Sequence, residues 1–107
     1  MIIRVYQTGD IIKEVILAGQ VRGEIVHYSE LSDCSFFYVY EVFSFMNSNR
    51  MTISMVIFDR EDYTDIHLKA SGGGKGMLFN FDWGAGSGFE EGVINIIKST
   101  GFEFEIL

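Results

Sequence analysis

Apolar and polar residues alternate with a period of two over the long central part of the chain. Five segments show this alternation and are rich in aromatic and β-branched residues, which is typical of strands. They are Glu24–Leu31, Phe36–Met46, Arg50–Phe58, Tyr63–Ser71 and Met77–Asp82. A short apolar segment at the amino end, Ile2–Tyr6, predicts a further, buried strand.

Residues 11–19 have the period of an amphipathic helix. Their apolar stripe consists of Ile12, Val15 and Ile16. Asp10 is the predicted N-cap and Gly19 the predicted end. The many β-branched residues suit a strand nearly as well, because they lose side-chain freedom in a helix. The pattern therefore favours a helix here and leaves a strand open.

The clearest helix lies near the carboxyl end. Ser87 and Glu90 have the spacing of a capping box, and Gly101 is the predicted end. The apolar stripe between them consists of Phe89, Val93, Ile96 and Ile97. Alternation returns in Phe102–Ile106 and predicts a last strand.

The resulting order, β-α-β-β-β-β-β-α-β, predicts an α+β fold with two layers. A mostly antiparallel sheet carries both helices on one face, and residues 1–107 form one domain. A turn at residues 59–62 would set Met55 opposite Ile66. A hairpin across residues 71–76 would set Leu68 opposite Phe79 and Ile66 opposite Phe81.

Helices on one side leave the other side of the predicted sheet uncovered, and we call this side the open face. It would consist of Ser54, Val56, Phe58, Tyr63, Asp65, His67, Lys69, Asn80 and Asp82, extended by one face of the strand Phe36–Met46. Five of its apolar residues form what we call the aromatic patch: Phe37, Phe43, Phe45, Val56 and Phe58. Such a patch is typical of an interface, so we expect a homodimer. The alternative is that the sheet curls and covers these rings itself.

A second hypothesis concerns the glycine-rich segment after the fifth predicted strand. It is not a Walker sequence, because Lys69 replaces the first glycine and Gly76 follows Lys75. Its amides can still form a nest for a small anion, beside a tryptophan that can stack on a ligand. The candidate residues for an anionic or aromatic metabolite are Ser71, Gly72, Gly73, Gly74, Lys75 and Trp83. The plainer interpretation is a hairpin loop.

The residue pattern does not favour catalysis, a cofactor or a bound metal. His27 and His67 lie on different predicted strands, and no closely spaced pair of ligands joins them to Asp65 or Asp82. The neighbouring carboxylate of Asp33 disfavours a thiolate at the single cysteine, Cys34. With no convincing nucleophile or base, a non-enzymatic role is the expectation.

The amino-acid composition limits the classes of partner that the protein is expected to bind. Eight lysines and arginines against fifteen aspartates and glutamates give the 107 residues a net charge of −7. This field repels phosphate backbones and anionic lipid surfaces and would steer a basic partner. A single cysteine and the absence of a long apolar run predict a cytoplasmic protein that does not enter a membrane.

The segment Ser71-Gly72-Gly73-Gly74-x-Gly76, followed by Phe79, Asp82-Trp83-Gly84 and a capped helix, resembles small uncharacterised bacterial domains of unknown function, found mainly among Firmicutes. The resemblance covers the last third of the chain and implies no activity. The order of elements is also similar to TATA-binding-protein-like folds and helix-grip folds, which bind on the open sheet or between sheet and helix. This similarity bears on fold alone.

The charge pattern predicts that the protein does not bind nucleic acid at physiological salt, because its basic residues are spread singly along the chain. Gel-shift assays with single- and double-stranded DNA and RNA at about 0.15 M salt are expected to show no complex. Saturable binding at micromolar protein would reveal a local basic surface and contradict this prediction.

Overall fold

The computed structural model describes residues 1–19, 23–44, 49–72 and 86–107, and these form six strands and two helices. The elements are β1 (Ile2–Val5), α1 (Gly9–Ala18), β2 (Glu24–Ser32), β3 (Ser35–Ser44), β4 (Asn49–Asp59), β5 (Thr64–Gly72), α2 (Gly86–Thr100) and β6 (Phe104–Ile106). One sheet holds all six strands in the order β2-β3-β4-β5-β1-β6, and each neighbouring pair is antiparallel. The predicted α+β class is confirmed.

The core lies between one face of the sheet and the two helices. The sheet contributes alternate residues of β1, β3, β4 and β5, and each helix contributes its apolar stripe. Its largest fully buried side chains include Ile12 and Ile16 of α1 and Phe89 and Ile97 of α2. Residues 11–19 are thus helical almost throughout, because their stripe covers the sheet and tertiary burial outweighs the modest helix propensity of β-branched residues. Both helices pack on the same face, as predicted.

The predicted register between β4 and β5 is wrong by two residues. Met55 lies opposite Leu68, and Ile66 lies opposite Ile57. The turn comprises residues 60–63 instead of 59–62, and the Arg60 amide donates to the Tyr63 carbonyl across it, at 2.8 Å. A shift of two residues keeps every side chain on its predicted face, since the side-chain period of a strand is two.

The predicted pairing of Leu68 with Phe79 and of Ile66 with Phe81 is also wrong. The edge of β5 away from β4 is occupied by β1, where Ile3 lies opposite Ile66. The Leu68 amide donates to the Met1 carbonyl at 2.8 Å, and the Met1 amino group donates to the Leu68 carbonyl at 2.9 Å. The predicted strand at residues 77–82 lies outside the described residues.

The amino termini of both helices differ from the predictions, whereas their carboxyl termini agree with them. Thr8 is the N-cap of α1, so Asp10 lies inside the first turn and is not the cap. Similarly, α2 begins at Gly86, which places the predicted cap residue Ser87 within the helix. At the end of α2, Gly101 has a φ of +81°, the left-handed conformation that favours glycine.

Gly19, at the end of α1, is a point of close approach between the two helices. Its φ of −81° is open to any residue, so conformation alone does not require glycine there. A Cβ atom added at this position would lie 2.5 Å from Cδ1 and 2.8 Å from Cγ1 of Ile96 in α2. The absent side chain therefore lets Ile96 pack against the end of α1.

We predict that Gly19→Ala lowers the free energy of unfolding by about 1–3 kcal/mol, because Ile96 must leave its position. The same change in an Ile96→Ala background should cost at least about 1 kcal/mol less, since the obstructing side chain is gone. Denaturant unfolding of the four proteins in this cycle measures both values. An equal cost in the two backgrounds would show that the contact does not set the packing.

Candidate functional site

The open face of the observed sheet carries a row of side chains that crosses five strands. Ser29, Phe37, Val56, His67 and Ile2 follow one another on β2, β3, β4, β5 and β1. Each of these five side chains is half-buried. Among the described residues, both helices lie on the opposite face, so this row lies on the face without a helix layer.

The structure brings together three of the five predicted aromatic-patch residues. Phe37 lies directly opposite Val56, and Phe58 follows two residues after Val56 on the same face. The ring centroids of His27 and Phe37 lie 5.7 Å apart, and those of His67 and Phe58 lie 5.0 Å apart, edge to face. The two histidines therefore flank the patch on its two sides.

The two remaining aromatic-patch residues are Phe43 and Phe45. The Phe43 backbone lies opposite Arg50, where β3 pairs with β4, and its side chain is not described. Phe45 lies outside the described residues. Their place in the patch stays a prediction.

Charged groups close the end of the open face where β5, β1 and β6 meet. Arg4 forms two hydrogen bonds to the carboxylate of Asp65, at 2.9 and 3.0 Å, and its guanidinium lies 4.0 Å from the centre of the Tyr63 ring. The hydrogen bonds from Arg4 lower the pKa of Asp65, against the effect of burial. The Tyr6 hydroxyl donates to Glu105, which raises the pKa of that tyrosine. These pairs tie together the three strands that carry them.

A second feature is a shallow groove on the helix side of β2, with a volume of about 250 Å³. It is lined by Lys13 and Leu17 of α1, Ile25 and Tyr28 of β2, and Tyr38 of β3. Burial raises the pKa of Tyr38 to about 12, so its hydroxyl is a neutral donor at physiological pH. No prediction from the sequence included this groove.

The apolar residues on both faces of one predicted strand could have indicated the groove. The strand predicted at Glu24–Leu31 carries apolar residues on both of its faces, and in the structure Ile25, Val26, Tyr28 and Leu31 are all exposed. This is unusual for a strand that pairs on both edges, and it fits an edge strand beside a second, incomplete layer.

The predicted ligand site at the glycine loop falls mostly outside the described residues. Ser71 and Gly72 are the last two residues of β5, and their side-chain surroundings are not described. The other four candidate residues lie outside the described residues: Gly73, Gly74, Lys75 and Trp83. Binding of an anionic or aromatic metabolite there stays a prediction.

The histidines and the cysteine lie apart from one another. His27 on β2 and His67 on β5 share a face but are separated by three strand spacings, about 14 Å. Cys34 is a free, exposed thiol in the turn between β2 and β3. The described residues contain no group of three or more histidine, cysteine, aspartate or glutamate side chains that could hold a metal ion. No described helix has the length and apolar character that crossing a membrane requires.

Comparison with known proteins places the chain in a family without supplying an activity. The model of a family of unknown function, DUF6054, matches residues 2–101, and the chain belongs to this family. None of the curated proteins and none of the solved structures matches the chain. The candidate functional surfaces are therefore the open face and the groove beside β2.

We predict that Asp65→Asn destabilises the protein most at neutral pH. The pKa of Asp65 is lower in the folded state than in the unfolded state, where it is about 3.9. The ionised carboxylate therefore stabilises the fold at any pH above the unfolded pKa. This contribution is lost as the pH falls through the folded pKa. Unfolding measured between about pH 7 and pH 2 should show the difference between wild type and variant shrinking with acid. Asp33→Asn, in the exposed β2–β3 turn, controls for the change in net charge. A difference that grows with acid would contradict the prediction.

Proposed function

We propose that this member of the DUF6054 family is a non-enzymatic, self-associating domain that forms a homodimer through the open face of its sheet. The observation that carries the proposal is the position of Phe37, Val56 and Phe58 on the face opposite both helices. A sheet with one apolar face under helices normally presents a polar face to solvent. Aromatic side chains in its middle are better explained by a partner surface.

The size of the open face suits a small interface. Five strands spaced about 4.8 Å apart, with three rows of side chains about 7 Å apart, give roughly 500 Å² per copy. Two copies would then bury about 1,000 Å² in total, the lower limit for a specific interface. We therefore expect a dimer with a dissociation constant in the micromolar range, formed and broken readily.

The distribution of charge favours a second copy at this face in spite of the net charge of −7. The row through Phe37 and Val56 contains no carboxylate, and the adjacent row of His27, Val39, Ser54 and Lys69 contains one lysine and no carboxylate. The rows on either side of these two carry Glu41 of β3 and Asp65 of β5, and Asp65 is paired with Arg4. Two copies can therefore meet at the middle of the open face with little like-charge repulsion.

The single exposed cysteine fits a reducing compartment, and we propose the cytoplasm as the location.

We predict that Val56→Lys weakens dimerisation at least tenfold, because it places a charge in the middle of the interface. Size-exclusion chromatography with light scattering should show wild-type dimer at about 100 µM and a dissociation constant raised at least tenfold in the variant. Ile11→Lys is the matched control: the same change in charge, at an apolar residue of α1 that is 41% exposed, on the helix side. It should dimerise like wild type.

Circular dichroism and the thermal midpoint establish that both variants fold. A wild-type protein that is strictly monomeric at about 100 µM would refute the proposal. Equal loss of dimer in both variants would also refute it, since it would show that net charge and not the open face controls association.

A further inference from the structure

His67 lies in the middle of the open face, within the area that the proposed dimer covers. On one side it lies opposite Val56 of β4, and on the other side it lies opposite Ile2 of β1. Its ring centroid lies 5.0 Å from that of Phe58, edge to face, and its side chain is half-buried. A partner seated on Val56 and Phe58 must therefore also cover the imidazole of His67.

The carboxylates near His67 offer little compensation for a positive charge on its ring. Asp65 lies two residues away along β5 and so on the same face. Both of its carboxylate oxygens accept hydrogen bonds from Arg4, so this pair has no net charge. The next carboxylate at this end of the face, Glu105 of β6, lies two strand spacings from β5, about 10 Å.

Cations outnumber anions around His67. Its neighbours across the strands, Val56 and Ile2, are uncharged. Besides Arg4, the cations near it among the described residues are Lys69 on the same face of β5, the Arg60 guanidinium, 5.4 Å from the centre of the Phe58 ring, and the Met1 amino group, which donates to the Leu68 carbonyl. Protonation of His67 therefore adds a charge to a surface that is already locally positive.

His27, on the other side of the aromatic patch, has different surroundings. Its Nε2 atom lies 3.2 Å from the hydroxyl oxygen of Ser29. In the next row of the open face, Glu24 lies opposite Glu41. A positive charge on His27 would therefore lie beside carboxylates, which makes this histidine the matched control for His67.

We propose that His67 makes dimerisation pH-dependent, so that its protonation in mild acid dissociates the two copies; this inference rests on the homodimer proposed above. In the free protein, water solvates a charged imidazole. In the dimer, the same imidazolium would lose water and lie against apolar side chains, which is unfavourable. The proton therefore favours the monomer, and the dimer weakens as the pH falls.

Other groups do not account for such a change. Histidine is the side chain that ordinarily changes its charge between about pH 5 and pH 8, whereas aspartate and glutamate ordinarily stay ionised above about pH 5. The falling negative charge of the whole protein acts in the opposite direction, but salt at about 0.15 M limits its range to about 8 Å. Each dimer covers two copies of His67, so the effect enters the dissociation constant twice.

The test is sedimentation velocity on the intact protein at about 1–300 µM in about 0.15 M salt, at about pH 7.5 and about pH 5.5. The expected dissociation constant is at least about tenfold higher at the lower pH. Circular dichroism at both pH values establishes that the protein stays folded. Dilution calorimetry at about pH 6, in buffers of different ionisation enthalpy, should show that dissociation takes up protons, because linkage is reciprocal.

Two matched variants assign the effect to one histidine. In His67→Gln, the ratio of the dissociation constants at the two pH values should fall below about threefold, because the titrating group is gone. In His27→Gln, the same ratio should stay within about twofold of the wild-type ratio. A merely structural role of His67 would change the dissociation constant at both pH values alike and leave the ratio as it is.

The outcomes separate this inference from the dimer on which it rests. A wild-type dimer of equal strength at both pH values would overturn the role of His67 and leave the dimer standing. A wild-type pH dependence that persists in full in His67→Gln would do the same. A protein that is monomeric at both pH values would overturn the dimer, and the pH dependence with it.

Discussion

The pairing of β1 with β5 is the interaction on which the rest of the structure depends. It inserts the first residues of the chain between β5 and β6 and so joins the two ends of the sequence in one sheet. The bidentate contact between Arg4 and Asp65 lies on this pairing, and Glu105 of β6 lies opposite Arg4 on its other side. Without β1, the strands from β2 to β5 would remain a meander with no connection to β6.

The sequence predicted the sheet face of each side chain better than it predicted which residues pair across neighbouring strands. Alternation placed Phe37 beside Val56 on one face and Met55 and Ile53 on the other, and both assignments are confirmed, because the period of a strand leaves only two choices. The predicted register of the β4–β5 hairpin is wrong by two residues, because a four-residue turn at residues 60–63 fits the sequence as well as one at residues 59–62. Long-range pairing could not be read from local patterns at all.

The two candidate surfaces also differ in how far the sequence predicted them. The positions of three of the five aromatic-patch residues followed from alternation, whereas the groove lies beside β2, and no local pattern shows that β2 is the outermost of the described strands. Ile25 and Tyr28 of this strand are exposed, at 43% and 44%.

The most direct test of the central claim, dimerisation through the open face, is an isotope-filtered NOE experiment on a mixture of labelled and unlabelled protein. Dimerisation through this face predicts intermolecular contacts between the methyl groups of Val56 in one copy and the rings of Phe37 or Phe58 in the other. Exclusively intramolecular contacts of the Val56 methyl groups, with rings from another part of the same chain, would contradict it.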